Sequence, residues 1–336
     1  MVELWTSGIS LPRYAAKTAA RVEAAGYDGL LLVDSQNLEG DTYVALTAAA
    51  LATSTLQLAT GVTNPFTRHP AATASAIASV NAESGGRAVL GIGRGDSSVQ
   101  RIGKREDPVA SFERYLTAVQ AYLSGEAVDR DGFASRLEWF EHTNVPKVPV
   151  EVAATGRRVI EVAARRADGI CLAVGADPAH LGEVLERARN AARAAGRSLR
   201  CGAFVNAVIH DDVSVARDAV RGSAASFARF SAFRGSDLSR LPAPLAAAAR
   251  WLREHYDMRQ HTRTGVPHTA GISDEFVDWF AIAGPVDVAR ERFRQLAALG
   301  LDFCYVIPGS TGMPREVAVS SLMRLGQEIV PAVAGR

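Results

Sequence analysis

Eight short and almost uninterrupted apolar runs recur along the chain, and longer amphipathic stretches separate them. The runs are 2–6, 29–33, 56–61, 87–92, 149–153, 168–173, 201–209 and 302–307. They lack the in-out alternation of a half-exposed strand, so they read as strands covered on both faces. Between them, 12–25, 42–52, 70–83, 108–123, 157–166, 178–195 and 212–230 have helical patterning. Strand and helix in alternation predict an α/β fold with a parallel sheet. Eight repeats in 336 residues favour closure into a (β/α)₈ TIM barrel, as one domain over 1–336. A short signature supports closure: Ala25-Gly-Tyr-Asp28-Gly, Ala167-Asp168-Gly and Leu299-Gly-Leu-Asp302-Phe each end a helix and enter a strand. One unit used repeatedly suits a barrel better than a doubly wound open sheet. Two excursions interrupt the rhythm: 124–147, read as a hairpin or loop, and 233–284, with a helical run near 245–258 and a polar stretch at 259–265. An insertion of the second kind serves as a lid, a solvated loop or an oligomer contact.

The 37 basic and 36 acidic residues balance to a net charge of +1. No broad field exists to gather nucleic acid or an anionic membrane. No apolar stretch is long enough to span a bilayer, and the N-terminus lacks the pattern of a signal peptide. Cys171, Cys201 and Cys304 each sit in an apolar run, without a second Cys or a His at ligand spacing. They are expected to be buried, reduced thiols of a cytoplasmic protein, and no metal site is expected.

In a parallel barrel, chemistry collects where strands end and helices begin. The second strand ends in Asp34-Ser35-Gln36-Asn37, with Asp41 or Thr42 placed to cap the next helix. The third ends in Gly61-Val62-Thr63-Asn64-Pro-Phe66-Thr-Arg-His69-Pro70. Pro70 opens a helix, and His69 either caps it or acts as a base. The fourth ends in Gly91-Ile-Gly93-Arg-Gly95-Asp96, a loop stripped of alternate side chains, as a close backbone approach requires. Its third Gly comes one residue early for a dinucleotide fingerprint and no helix is expected directly after it. Asp96 is a candidate acid. Thr155-Gly156-Arg157-Arg158 enters a helix directly and makes an anion site of its N-terminus; Val174-Gly175-Ala-Asp177 opens the next helix similarly, with Asp177 as its N-cap. Phe66, Phe230, Phe233, Trp251 and Trp279 are available to line an apolar cavity.

Three of these segments, Thr60–Pro70, Ser84–Asp96 and Val152–Gly156, occur in an order that resembles the bacterial luciferase-like monooxygenase superfamily. The likeness is strongest to its deazaflavin-dependent methylenetetrahydromethanopterin reductase branch, over residues 1–210 and 284–330. The resemblance implies FMN or coenzyme F-420 bound at the C-terminal mouth of the barrel. It implies a bulge with a non-prolyl cis peptide at Gly61–Val62 behind the ring, and a phosphate loop at Thr155 and Gly156 with the turn at Val174 and Gly175. Where several deazaflavin enzymes carry a His after the second-strand Asp, this chain has Ser35. Asp96 replaces a longer Glu, and Gly175 a phosphate-binding Lys. Hydride transfer here would then draw its proton through His69 or water.

The chain is thus expected to be an oxidoreductase on a small organic substrate. It would work by FMN-dependent monooxygenation, served by a separate flavin reductase, or by coenzyme F-420-dependent hydride transfer. Asp96, His69 and Ser35 are the candidate catalytic residues. Asp34, Gly61, Val62, Thr63, Asn64, Gly93, Gly95, Thr155, Gly156, Arg157, Val174 and Gly175 are the candidate cofactor contacts. A homo-oligomer is expected. The alternative is a barrel that binds a cofactor or ligand without turnover. An aldolase of unrelated chemistry fails for lack of a strand-end Lys: Lys17, Lys104 and Lys147 all lie elsewhere.

Overall fold

The computed structural model of the chain describes residues 1–232 and 237–334. Eight strands, Glu3–Gly8, Gly29–Leu32, Gln57–Thr60, Ala88–Ile92, Val150–Ala154, Gly169–Leu172, Arg200–Ile209 and Phe303–Ile307, pair in chain order. The eighth returns to the first through Glu3↔Phe303 to Thr6↔Val306, so the parallel sheet closes into a barrel. Each apolar run of the sequence is one of these strands, with ends shifted by a residue or two.

The recurring Asp has one job. The carboxylates of Asp28, Asp168 and Asp302 accept the backbone N–H of Leu4, Val150 and Cys201 at 2.8, 2.9 and 2.7 Å. Each ties the entry of its own strand to the start of the neighbouring strand. Helices Ala15–Ala24, Thr42–Leu51, Pro70–Glu83, Val109–Leu123, Arg157–Arg166, Pro178–Ala194, Val213–Ala228 and Val286–Ala298 pack outside the sheet, followed by Arg315–Arg324. Inside, Trp5, Leu31, Ala59, Val89, Cys171, Phe204, Phe303 and Tyr305 fill the barrel. Each large side chain there contributes about 1.5–3 kcal/mol by leaving water. All three cysteines are buried and free.

The excursion at 124–147 holds an antiparallel hairpin, Val128–Arg130 with Phe133–Ser135. In the second, the helix spans Ala243–His255 rather than 245–258, because Tyr256 turns to extended backbone. Helix Asp274–Phe280 and strand Ile282–Gly284 follow, and the strand pairs with Ala207–Ile209. Contrary to the sequence reading, a one-turn helix, Ser97–Gln100, directly follows the Gly-rich loop. Asp41 caps its helix by accepting the N–H groups of Tyr43 and Val44. No helix among the described residues is long and apolar enough to cross a membrane, and no group of residues that could hold a metal occurs among them.

Candidate active site

A cavity of about 1860 Å³ opens at the C-terminal ends of the strands. That exceeds the volume of ordinary single-ligand pockets and leaves room for a cofactor with a substrate beside it. Its floor and one wall come from the ends of the second, third and fourth strands. The Gly61–Val62 peptide is cis, as the resemblance implied. Beyond it the third strand pairs again, with Thr63 N–H donating to Gly91 O and Gly93 N–H to Thr63 O, both at 2.9 Å. Val62 is thus pushed out as a bulge that lines the cavity. The bulge needs Gly91, since a Cβ there would stand 2.2 Å from Thr60 O.

Beside the bulge, Asp34 is 2% exposed and accepts Thr63 Oγ–H and Gln36 Nε2–H, each at 2.6 Å. Burial pushes its carboxyl up against the pull of these bonds and of Arg68, 3.7 Å away. Ser35 lines the cavity with its buried hydroxyl unpartnered, a group ready to bond a ligand. Across the Gly-rich loop, Asp96 forms an ion pair with Arg229, at the end of the helix before the second excursion. Burial raises the Asp96 carboxyl while Arg229 opposes the rise.

The anion corner lies at helix Arg157–Arg166. Gly156 stands at its N-cap with no side-chain bond, leaving the first N–H groups open to the cavity. Thr155 Oγ–H donates to Ala173 O at 3.3 Å, holding the loop. The Arg157 guanidinium is taken up by Glu161 at 2.8 Å, at the exposed edge of the cavity. Arg158 and Arg94 supply the guanidinium groups instead; both line the cavity and repel one another as like-charged neighbours. The next helix starts with the N-cap expected of it, but Gly175 does not face the site. Asp177 caps it by accepting His180 N–H at 2.8 Å, and Gly175 packs on the Phe280 ring, away from the cavity that Val174 lines.

Of the candidate residues, Asp34, Ser35, Gly61, Val62, Thr63, Gly93, Gly95, Asp96, Thr155, Gly156, Arg157 and Val174 meet around this cavity. Asn64 stands behind it, where its Oδ1 accepts Phe66 N–H and Thr67 N–H to shape the loop. His69 lies outside and exposed, and its Nδ1 accepts Ala71 N–H at 3.2 Å. It caps the helix, the structural one of its two readings. Among the aromatics, Phe230 lines the cavity with Phe204 and Phe227. Phe66 is exposed, Trp251 and Trp279 pack within the second excursion, and Phe233 lies outside the described residues.

Sequence reasoning missed what the second excursion delivers: His261, Thr262 and Arg263 line the cavity, and Tyr256 bonds the His261 ring. It also missed Glu151, which is buried on the fifth strand, two residues below the cavity-lining Ala153. Glu151 accepts a short hydrogen bond from Tyr305 Oη and faces Arg200 at 3.4 Å. Burial pushes its carboxyl up to about 7.

A closed barrel with a bulged third strand, a Gly-rich fourth loop and an open anion corner agrees with what the resemblance to luciferase-like barrels implies. A sequence profile of luciferase-like monooxygenases matches residues 4–302, and the chain belongs to that family of oxidoreductases. It is 29% identical over 322 residues to the 5,10-methylenetetrahydromethanopterin reductase of Methanolobus tindarius, covering 94% of this chain and 95% of that one. The reductase of the same name from Archaeoglobus fulgidus is 30% identical over 315 residues, with 92% of each covered. Among solved structures, the coenzyme F-420-dependent tetrahydromethanopterin reductase of Methanopyrus kandleri superposes with a TM-score of 0.71 at 21% identity, over 98% and 99% of the two chains. An F-420-dependent secondary alcohol dehydrogenase gives 0.74 at 16%, over 99% of both.

Proposed function

We propose that the chain, as one barrel domain, uses coenzyme F-420 to move hydride to or from a small organic substrate. The observation that carries this is a single cavity with a bulged ring support at Val62 and an open helix N-terminus flanked by Arg94 and Arg158. A flat ring with a phosphate tail suits that pairing, and the unpartnered Ser35 hydroxyl offers the ring edge a hydrogen bond. The relatives named for methylenetetrahydromethanopterin reduction and for dependence on F-420 support the deazaflavin over FMN.

In this reading Thr155, Gly156, Arg94 and Arg158 hold the phosphate, and Gly61, Val62, Thr63, Gly93 and Gly95 bed the ring. Bound coenzyme supplies the hydride chemistry. Asp34 keeps Thr63 and Gln36 in register at the ring edge. Asp96, raised by burial yet held by Arg229, is the group placed to pass a proton at its carboxylate oxygen; His69 is outside that reach. Titrating the protein with coenzyme F-420 and with FMN tests the proposal. Micromolar affinity for F-420 and weaker binding of FMN support it; preference for FMN would favour monooxygenation served by a flavin reductase, and binding of neither would sink the redox reading.

We also infer a cytoplasmic homo-oligomer. Buried free thiols suit a reducing compartment. Helix Thr42–Leu51 carries no charge, and its outer face shows Val44 and Leu51 at 69% and 72% exposure beside the nearly uncharged helix Pro70–Glu83. Such a face suits a second copy of the chain.

A further inference from the structure

The second excursion does more than cover the mouth, because it holds one polar side chain in a fixed place and state. Segment 261–264 is clamped on two sides. Thr311 N–H donates to Thr262 O at 3.0 Å, Thr264 N–H donates to Thr311 O at 3.1 Å, and the two threonine hydroxyls meet at 2.8 Å. On the other side it crosses helix Val213–Ala228 at Gly222, where a Cβ would lie 2.3 Å from Arg263 O. His261, which lines the cavity, is therefore held by backbone rather than by a loose loop.

Its ring is oriented too. His261 Nδ1 lies 2.5 Å from Tyr256 Oη. Thr262 N–H and Ser226 stand beside that oxygen, and the Ser226 proton is spent on Ser223 O. Of the acceptors left for the phenol proton, the imidazole lone pair is the more basic. Nδ1 then accepts, and Nε2 carries the hydrogen. The groups facing the ring are Tyr256, Arg229 (paired with Asp96), Arg101 and His268. Burial and these two guanidiniums push the imidazole down to about 3, so it stays neutral. The same cavity has an apolar wall, Phe204, Phe227 and Phe230, with ring centroids 5.5 and 5.2 Å apart in sequence, together with Ile307. At the rim, Arg240 and Arg259 form exposed ion pairs with Asp237 and Asp257, and Arg101 and Arg263 also line the mouth.

We propose that His261 donates Nε2–H to the substrate's acceptor atom, and that the substrate is a neutral, flat, largely apolar carbonyl or imine compound lying against the Phe204–Phe227–Phe230 wall. Tyr256 is the positioning residue. This rests on the hydride-transfer reading above and narrows it. A neutral donor in an apolar pocket discriminates for an uncharged acceptor and leaves a charged one poorly solvated.

The test uses acetophenone carrying ¹³C at its carbonyl, added to protein loaded with oxidised coenzyme F-420 and read by infrared difference spectroscopy. The carbonyl band is expected at lower frequency than in hexane. His261→Ala should return it toward the hexane position and weaken binding roughly 3- to 10-fold, the effect of one lost hydrogen bond. His261→Gln, which keeps a donor, should retain most of the shift. Long-range ¹H–¹⁵N NMR should show a single neutral Nε2–H tautomer from about pH 5 to 8, and Tyr256→Phe should lose that single tautomer. The proposal is overturned if acetophenone does not bind, if its band ignores His261→Ala, or if His261 titrates near the usual histidine value. Should F-420 fail to bind, the cofactor reading falls, while the same infrared comparison on the cofactor-free protein still decides the role of His261.

Discussion

Replacing Glu151 with Gln tests how the floor beneath the cavity is charged. Glu151 is 2% exposed, accepts from Tyr305 and faces Arg200. Burial outweighs both partners, so the folded protein holds this proton up to about 7, against 4.5 for an unperturbed glutamate. Between those values the folded state binds more proton than the unfolded state, so stability falls as pH rises. The contribution is fully present below about 4.5 and gone above about 7. At about 1.4 kcal/mol per pH unit, the loss is about 3 kcal/mol. Glutamine keeps an acceptor for Tyr305 and cannot titrate. Urea unfolding of both proteins from about pH 4.5 to 8 isolates the term, because other titrating groups cancel in the difference. The variant should gain on the wild type by about 3 kcal/mol across that range. A difference that stays flat, or grows toward acid, would refute the reasoning.

Two further outcomes follow from the site and one from the exposed face of helix Thr42–Leu51. Asp96→Asn should lower turnover about 100-fold on any acceptor the wild type uses, with F-420 affinity changed less than about twofold; equal losses in both would remove Asp96 from proton transfer. Arg158→Ala should weaken F-420 binding roughly 10-fold by removing one charge-assisted bond, and Gly156→Asp should weaken it further by setting a carboxylate at the helix N-terminus; unchanged affinity in a spectral titration would move the phosphate elsewhere. Val44→Glu with Leu51→Glu should convert the oligomer to monomer in light scattering, and a wild type that is already monomeric would contradict the interface.

The strands were legible because both faces of each are covered, which turns them into apolar runs that no surface helix imitates. Helix Pro70–Glu83 was legible to the residue, since Pro70 marks its first turn. The Gly-rich loop announced a close approach, and Gly91 makes one. What stayed hidden depends on distance along the chain. Asp96 and Arg229 pair across 133 positions, and nothing near either residue encodes the partner. His261 sat in a stretch that was merely polar, and only the crossing at Gly222 shows where it lands. Glu151 was masked by the apolar run around it. His69 misled for a local reason, because a residue before Pro at a helix start has capping chemistry whether or not a site is near. At the second helix start the Asp177 cap was legible, whereas the packing of Gly175 on Phe280, far along the chain, was not.

The most direct measurement is a crystal structure of the protein with oxidised coenzyme F-420. The phosphate is expected against the N–H groups of residues 156–158, between Arg94 and Arg158, with the deazaflavin ring resting on Val62 and its edge within reach of Ser35. A coenzyme bound elsewhere, or a corner at Gly156 left to solvent in crystals saturated with it, would rule out this cavity as the coenzyme site.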